Sequence, residues 1–393
     1  MTLTAPAFPG DAVRARARTG AAAAFPDAAD HGAALYGADP DVRPADALDA
    51  LRLVPPVFVP RRLEKLIDLA REPVYRDVAL DTRIGGFASA LPLYLSAIGP
   101  ARWTGVDLGE AASRQSGRLG IPMVVGEQLA PADRYGSSPL CRIEAYTAEL
   151  ADGRGGVVVQ QSTEDADAEV WHLVYRDART RPLLESGRLA FEVKVGQGAT
   201  PGLGGTTVLD GVPHCAGPGT FTDEILRQQI RLMRTKFPGV RVWVKLPPAR
   251  DVAAAALVAW DAGADAVTVD GAEGGTGWAP TAFLGHVGLP LGECLRRIGD
   301  PDACLLVSGR MWEGTRVAKS LALGATATGL GRAALVAVDE DPADGLVNLV
   351  DCLAVELRML TSAMGKYHCG ELGREDVWAT GEMSTMDTVA GLW

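Results

Sequence analysis

The sequence predicts an α/β protein built as a (β/α)8 TIM barrel with an N-terminal helical or irregular extension. From about residue 77, short apolar runs alternate with amphipathic helical segments, and eight such runs follow one another along the chain. A doubly wound open sheet is the rival fold, but the GxGxxG fingerprint that follows its first strand is absent. The repeated alternation of strand and helix therefore favours the barrel.

The apolar runs are predicted to be the barrel strands because they are short and bounded by turn residues. They lie at 91–97, 121–125, 157–160, 189–195, 240–246, 266–269, 303–307 and 325–330. Helices are predicted between them at 222–235, 251–263, 291–298 and 315–323. Thr222 and Asp251 are predicted to be N-caps, since short polar side chains accept hydrogen bonds from the first amides of a helix.

Three segments are predicted along the chain. Residues 1–76 form an N-terminal arm and helical cover, with a short helix near residues 11–24. Residues 77–370 form the barrel, and residues 371–393 form a C-terminal tail. The arm suggests a contact between subunits, so a homo-oligomer is expected.

Composition excludes several classes of partner. The net charge is −11 and no basic run occurs, so nucleic acids and anionic membranes are not expected as partners. No apolar run approaches the about 20 residues needed to span a bilayer, and no secretory signal is visible. The six cysteines lack CxxC or metal-finger spacing, which indicates reduced thiols in a cytoplasmic protein and no metal site.

The stretch EVKVGQGATPGLGG at 192–205 begins as a strand and breaks into a glycine-rich loop. Barrels place their ligands at the C-terminal ends of the strands, so this loop is predicted to line the site. It brings Lys194 and Gln197 to that end of the barrel. Both side chains are therefore predicted to contact a substrate.

The last two predicted strands end in similar loops. Ser308-Gly309-Arg310 and Gly329-Leu330-Gly331-Arg332 each precede a helix. Backbone amides and the helix dipole at such positions favour a phosphate group. Because phosphate in barrels is held by the loops after strands seven and eight, the pair predicts a phosphate site.

Charged residues mark the fifth and sixth strands. Lys245 lies within the otherwise apolar WVKLPP, and a buried ammonium needs a partner or a polar site. The sixth strand ends in DGAEGGTG at 270–277, where Glu273 is predicted to accept a hydrogen bond or a proton. The alternative for Glu273 is a position in solvent beside a tight turn.

These segments together resemble the FMN-binding synthase domain of glutamate synthases. The motifs that carry the resemblance, in chain order, are EVKVGQGATPGLGG, WVKLPP, VDGAEGGTGWAP, GLP, VSGRMWEGTRVAKSLALGA and GLGRAAL. The similarity extends from about residue 77 to about residue 364, including DTRIGG near its start and the pair at Gly126 and Glu127. The resemblance implies a (β/α)8 barrel that binds FMN.

The resemblance also implies roles for individual residues. It implies that the FMN phosphate is bound by Gly309, Arg310, Gly329 and Gly331, to which the adjacent Arg332 is added. The residues implied near the isoalloxazine ring are Lys245, Gln160, Gly274, Gly275 and Thr276. Glu127 and Gln197 are implied to contact the substrate, and Lys245 and Glu127 are taken as catalytic.

The chain also departs from the family pattern. Thr200 stands where the family has the lysine of QGAK, and 162–165 replaces an SGRFG-like turn. The family's long loop is shortened to 209–217, so further cations are lost, each worth about 1.5–3 kcal/mol in a charge-assisted contact. Binding of 2-oxoglutarate in the family's manner is therefore not expected.

The shortened loop contains His214 and Cys215. His214 is predicted to act as a general acid or to contact the substrate, since a histidine titrates near neutrality; an incidental loop pair is the alternative. The cysteines of a [3Fe–4S] cluster and a glutaminase part have no counterpart in this sequence. A stand-alone flavin barrel with a rebuilt substrate pocket is therefore expected.

The predicted function is that of an FMN-dependent oxidoreductase. It would transfer a hydride between flavin N5 and a C–N centre of a small, amino-acid-like substrate, in specialised metabolism. Its electron donor or acceptor stays open. Two alternatives remain: a flavin-dependent isomerase with no net redox change, and a non-catalytic FMN-binding or regulatory subunit.

Overall fold

The computed structural model describes residues 3–31, 33, 44–99, 102–103, 106–126, 137–150, 153–161, 170–203, 205–209, 212–216 and 221–379. The strands are β1 (Arg52–Leu53), β2 (Thr82–Ile84), β3 (Phe87–Ser89), β4 (Leu93–Ile98), β5 (Arg102–Trp103), β6 (Val106–Asp107), β7 (Met123–Val125), β8 (Val157–Gln161), β9 (Leu189–Lys194), β10 (Gly205–Leu209), β11 (Val212–Ala216), β12 (Arg241–Leu246), β13 (Ala266–Asp270), β14 (Leu305–Ser308), β15 (Ala327–Leu330) and β16 (Val377–Trp378). The α-helices are α1 (Gly10–Thr19), α2 (Pro60–Leu69), α3 (Leu108–Leu119), α4 (Ser137–Thr147), α5 (Val170–Arg176), α6 (Arg181–Glu185), α7 (Asp223–Lys236), α8 (Val252–Asp261), α9 (Leu291–Ile298), α10 (Gly314–Ala322), α11 (Arg332–Glu340) and α12 (Gly345–Ala363).

Eight parallel strands close into a barrel in the order β4, β7, β8, β9, β12, β13, β14 and β15, and β15 pairs with β4. The predicted (β/α)8 fold is confirmed. Each predicted apolar run contains one barrel strand, and their boundaries differ by one or two residues at most ends. The apolar runs alone were sufficient to locate the strands because a strand that is buried on both faces contains few polar residues.

The predicted helices are present with small differences. The side chain of Thr222 caps α7 by accepting a hydrogen bond from the amide of Ile225 at 3.3 Å. The predicted capping role of Asp251 is wrong, since its side chain makes no capping hydrogen bond to α8. The chain leaves α8 through Gly263, whose φ of +101° suits glycine.

The end of the barrel where the strands begin is filled with apolar side chains. They form a cluster apart from the one between the strands and the outer helices: Tyr94, Val124, Val158, Ala190, Trp243, Ala266, Leu306 and Ala327. The hairpin of β2 and β3 packs into this cluster, with the Phe87 and Trp243 rings 5.6 Å apart. The indole nitrogen of Trp243 also donates a hydrogen bond to the Gly85 carbonyl at 3.3 Å. The hairpin therefore closes this end.

The interior becomes polar two residues further along the same strands. Successive residues of a strand alternate in direction, so these positions again point inward. Their buried polar side chains are Ser96, Gln160, Glu192, Lys245, Thr268 and Ser308. A polar layer toward the C-terminal ends of the strands, above a closed apolar end, indicates where a ligand binds.

The N-terminal extension packs on the outside of the barrel. Arg14 in α1 pairs with Asp339 at 2.8 Å and with Glu340 at 3.0 Å, both in α11. Strand β1 pairs with β16, which joins the segment before the barrel to the segment after it. The domain boundaries at residues 76 and 370 stay a prediction.

Candidate active site

A buried ion pair lies at the C-terminal end of the barrel interior. Lys245 Nζ is 3.4 Å from Asp270 Oδ2, and each side chain is 8% exposed. Asp270 also accepts hydrogen bonds from Ser308 Oγ at 2.7 Å and from the Gly198 amide at 2.9 Å. Burial opposes ionisation of Asp270, but the charge of Lys245 and these hydrogen bonds outweigh it and lower its pKa.

A second buried carboxylate lies in the same polar layer. Glu192 is 1% exposed. It accepts hydrogen bonds from Gln160 Nε2 at 2.6 Å and from Thr268 Oγ1 at 3.1 Å. Burial raises the pKa of Glu192, while the charge of Lys245 opposes that rise. The structure thus brings Gln160 and Lys245, both predicted near the flavin ring, to the same carboxylate.

The glycine-rich loop after β9 holds a short hydrogen-bonded chain. Lys194 Nζ donates to Gln197 Oε1 at 3.1 Å, and Gln197 Nε2 donates to Thr200 Oγ1 at 2.9 Å. The two predicted substrate residues are therefore together. Thr200, which stands in place of the family's lysine, orients the Gln197 amide instead of supplying a charge.

The loop after β13 contains glycines that close packing requires. A Cβ atom added at Gly274 would lie 2.8 Å from the carboxylate of Asp270, and one at Gly275 would lie 2.6 Å from the side chain of Arg332. Distances below about 3 Å leave no room for a side chain. Both glycines thus let this loop approach the ion pair and the start of α11.

Glu273 and Thr276 occupy the same loop in different ways. Both carboxylate oxygens of Glu273 accept a hydrogen bond from the amide of Leu291, at 3.2 and 3.0 Å, so Glu273 binds the first amide of α9. Burial raises the pKa of Glu273. Glu273 is half-buried rather than free in solvent, whereas Thr276 is exposed.

Two consecutive residues after β14 have positive φ angles. Gly309 has φ of +134° and Arg310 has φ of +54°, which is strained for a residue with a side chain. The guanidinium of Arg310 is 2.7 Å from Asp49 and 3.4 Å from Asp46. The predicted phosphate ligand therefore directs its side chain to the N-terminal extension.

Arg316 in α10 completes this charged cluster. It is fully buried, lies 2.9 Å from Asp46 and also pairs with Asp49. Burial opposes ionisation of Asp46, but its hydrogen bond to Arg316 and the charge of that residue lower the pKa of Asp46. Sequence reasoning missed both aspartates. The available signal was a pair of acidic residues three apart in an otherwise apolar stretch, ADALDAL.

The loop after β15 has more space. A Cβ atom added at Gly331 would have Ser96 Cβ as its nearest neighbour, at 3.9 Å. Arg332, the first residue of α11, donates to the Glu273 carbonyl and lies 4.6 Å from the centre of the Phe8 ring. Burial, followed by the charge of Arg310, lowers the pKa of Arg332, so the loops after β14 and β15 are neighbours.

Gly329 is constrained by packing. A Cβ atom at this position would lie 2.6 Å from the ring of Tyr94, which belongs to the apolar layer. Gly329 thus makes room for Tyr94, whereas a Cβ atom would fit at Gly331.

Two of the predicted residues are not fully described. Glu127 falls outside the described residues. The backbone of His214 belongs to β11, which pairs with β10 and aligns His214 with Thr207. Its side chain is not among the described ones.

Two other kinds of site are absent from the described residues. Among the described residues, no group of three or more His, Cys, Asp or Glu side chains is arranged to hold a metal ion. Within the same part of the chain, no helix has the length and apolar character needed to cross a membrane.

Solved structures with the same fold are flavoenzymes. A flavocytochrome b2 variant with pyruvate bound has a TM-score of 0.59 at 17% identity, covering 97% of this chain and 85% of that one. A mandelate oxidase variant with 2-hydroxy-phenylacetamide has a TM-score of 0.56 at 21% identity, covering 93% of each chain. At such identities the likeness establishes the shared fold alone.

Curated relatives point to one family. A glutamate synthase large subunit-like protein of Rhizobium meliloti is 36% identical over 180 residues, which are 39% of this chain and 40% of the relative. An archaeal-type glutamate synthase [NADPH] of Dehalococcoides mccartyi is 34% identical over 181 residues, which are 39% of this chain and 36% of the relative. The chain thus spans well under two thirds of the length of these relatives.

The family comparison agrees with these relatives. Residues 220–343 match the family described as the conserved region in glutamate synthase. This segment includes β12 to β15 and the loops that follow them, where the ion pair and both glycine-bearing loops lie. The resemblance to the synthase domain of glutamate synthases is confirmed, since residues 220–343 of this chain match the conserved region of that family and the relatives agree with it.

Proposed function

We propose that this chain is an FMN-dependent oxidoreductase of the glutamate synthase type. The observation that carries the proposal is the convergence of Lys245, the loop at Gly309 and the loop at Gly331 at the open end of one barrel. The conserved glutamate synthase region and the flavoenzyme fold support the same cofactor. When bound, FMN would supply the atom that accepts and donates the hydride.

The residues present fit the phosphate of FMN. A Cβ atom added at Gly331 would have no neighbour nearer than 3.9 Å, and none of the described side chains caps the helix that follows it. The first amides of α11 and the Arg332 guanidinium would hold a phosphate there, because both offer donors and positive potential to an anion. Gly309 and the Arg310 backbone would form the facing wall.

The residues present also fit the flavin ring. Lys245 and Gln160 belong to the polar layer of the barrel interior. This layer lies between the closed apolar end and the loops at Gly309 and Gly331. Gly274 and Gly275 keep the neighbouring loop free of side chains, with Thr276 next to them. Lys245 would place a cation where negative charge grows as the ring is reduced.

The substrate is proposed to be amino-acid-like. Lys194 would pair with its carboxylate, and the Gln197 amide, held by Thr200, would bind a second polar group. Glu127 and His214 are proposed to complete the pocket, with His214 moving a proton to or from nitrogen. Since Thr200 replaces a cation, one carboxylate is preferred over two.

Glu273 is proposed to act on the substrate indirectly. Its carboxylate binds the start of α9, so its role is to shape the loop at Gly274 rather than to exchange a proton. Glu273→Gln keeps a hydrogen-bond acceptor there and is expected to retain most activity.

The first test is a visible spectrum of the purified protein, before and after incubation with FMN. A bound flavin in about one-to-one ratio is expected. Amino acids should then be screened anaerobically for bleaching of the flavin, and oxo acids with ammonia for reoxidation. A protein that binds no FMN under any condition contradicts the proposal.

The electron partner is tested separately. Relatives of this chain have NADPH in their names, so NADPH is the first donor to mix with the oxidised protein. Turnover without any donor or acceptor would identify an isomerase instead. Lys245→Met should lower the rate of flavin reduction by about 100-fold, since a preorganised charge contributes about 3 kcal/mol.

A further inference from the structure

Asp270 has more roles than a helper of one lysine. It ends β13, pairs with Lys245 on β12, accepts from Ser308 on β14 and accepts from Gly198 in the loop after β9. One carboxylate thus joins four neighbouring elements around the polar layer. Sequence reasoning treated Asp270 only as the start of a loop.

The position of this carboxylate is fixed by tight packing. A Cβ atom added at Gly198 would lie 2.1 Å from the Gly271 carbonyl, and one at Gly274 would lie 2.8 Å from Asp270 itself. Loops pressed this closely leave the side chain of Asp270 little freedom. Its distance from Lys245 is therefore a property of the fold rather than of one rotamer.

The pair has electrostatic consequences because it is buried. Charges 3.4 Å apart, each 8% exposed, interact strongly where water does not screen them. A lone ammonium beside a flavin favours the reduced ring, which is the more negative form. A carboxylate at that distance cancels much of this effect.

We infer that Asp270 is a positioning residue that fixes the ammonium of Lys245 and offsets its charge, and so lowers the reduction potential of bound FMN. This inference rests on the proposed function. It assigns to the flavin of this chain a preference for giving electrons away. The second carboxylate of the layer, Glu192, acts on Lys245 in the same direction.

The test compares charge with hydrogen bonding at the same carboxylate. Asp270→Asn removes the charge and keeps the shape, whereas Ser308→Ala removes one hydrogen bond and keeps the charge. Both proteins are loaded with FMN, and the midpoint potential is measured against reference dyes. Dissociation constants for oxidised and reduced FMN give the same quantity independently.

D270N is expected to raise the ratio of the oxidised to the reduced dissociation constant at least tenfold. For a two-electron couple this corresponds to a potential about 30 mV more positive. S308A should change the ratio less than threefold. A purely structural role for Asp270 would weaken both forms of FMN alike and leave the ratio unchanged.

Two outcomes separate this inference from the proposed function. If the unaltered protein binds no FMN, the proposed function fails. If it binds FMN and D270N changes the ratio less than twofold, only the role of Asp270 is overturned. Should D270N not fold, Asp270→Ser provides the same loss of charge in a smaller side chain, with circular dichroism as the check of folding.

Discussion

Two helices begin beside the proposed phosphate site, and their first turns differ. In α10 the amide of Gly314 donates to Glu356 Oε2 at 2.6 Å, so a carboxylate from α12 already occupies that end. In α11 none of the described side chains accepts a hydrogen bond from the first turn, and a Cβ atom added at the preceding Gly331 would have no neighbour nearer than Ser96 Cβ at 3.9 Å. An anion at α10 would compete with Glu356, whereas at α11 it would meet the positive end of the helix dipole with no described carboxylate bonded to it. Similar sequences can therefore serve stability in one case and binding in the other.

The largest loss of FMN affinity is expected when a negative charge is placed at the start of α11. Gly331→Asp puts a carboxylate where the phosphate is proposed to bind, and the Cβ atom would have no neighbour nearer than Ser96 Cβ at 3.9 Å. FMN affinity is expected to fall about 100-fold, near 2.7 kcal/mol. Fluorescence titration of FMN measures it.

Gly331→Asn is the matched control because it has the same size without the charge. It should weaken binding far less than Gly331→Asp does. Equal losses in both variants would mean that the size of the side chain, rather than its charge, lowers FMN affinity. An unchanged affinity in both would show that the phosphate does not bind at the start of α11.

The converse change acts on α10. Glu356→Gln weakens the bond to the Gly314 amide and the ion pair with Arg16, which is 2.8 Å long. The free energy of unfolding should fall by about 1–3 kcal/mol, as for a hydrogen bond to a charged group. FMN affinity should change less than threefold.

Urea unfolding measures this loss, with Glu375→Gln as the control. Glu375 also forms an ion pair, with Lys366, but its side chain is 70% exposed, so its removal should cost less than about 0.5 kcal/mol. A large loss of FMN affinity in E356Q would contradict the assignment of α10 to stability.

The two arginines of these loops form a smaller contrast. Arg332 is the first residue of α11 and donates to the Glu273 carbonyl, while the Arg310 guanidinium is paired with Asp46 and Asp49. Arg332→Gln is expected to weaken FMN binding about tenfold, near 1.4 kcal/mol. Arg310→Gln should weaken it less than threefold, because only its backbone is proposed to face the phosphate. A larger loss in Arg310→Gln than in Arg332→Gln, measured by the same titration, would show that the side chain of Arg310 binds the phosphate.

The ion pair between Asp46 and Arg316 should account for a small part of the stability that is lost in acid. Burial opposes the ionised form of Asp46, yet Arg316 lowers its pKa below the ordinary 3.8. Folding thus favours the ionised carboxylate, so its stabilising effect is present above that value and is lost as the pH falls through the lowered pKa. The decline in unfolding free energy between about pH 5 and about pH 3 should be smaller in Asp46→Asn. An unchanged decline in Asp46→Asn, measured by urea unfolding at each pH, would contradict this role of Asp46.

The barrel was predictable because its signal is repeated. Each strand is an apolar run with turn residues beside it, and an error in one run does not alter the reading of the others. Lys194, Gln197 and Lys245 were found by position, since polar residues at the ends of apolar strands face the site. The same argument would have placed Glu192 and Asp270 at the site, but they were considered only as parts of longer motifs.

Other features depend on contacts between distant residues. Asp46 and Asp49 meet Arg316 across about 270 positions of sequence, and nothing local in the arm indicates that pairing. Gly329 and Gly331 look alike in the sequence, but only the fold places the ring of Tyr94 against the first. Pairings of this kind follow from the packing of loops on one another, which periodicity does not encode.

The hairpin of β2 and β3 closes one end of the barrel, so within the described part of the chain the polar layer is open only toward the C-terminal ends of the strands. Under the proposed function, the substrate and the electron donor or acceptor would both reach Lys245 through the other end of the barrel, one after the other. Rates measured while both reactants are varied should accordingly give parallel lines in a double-reciprocal plot.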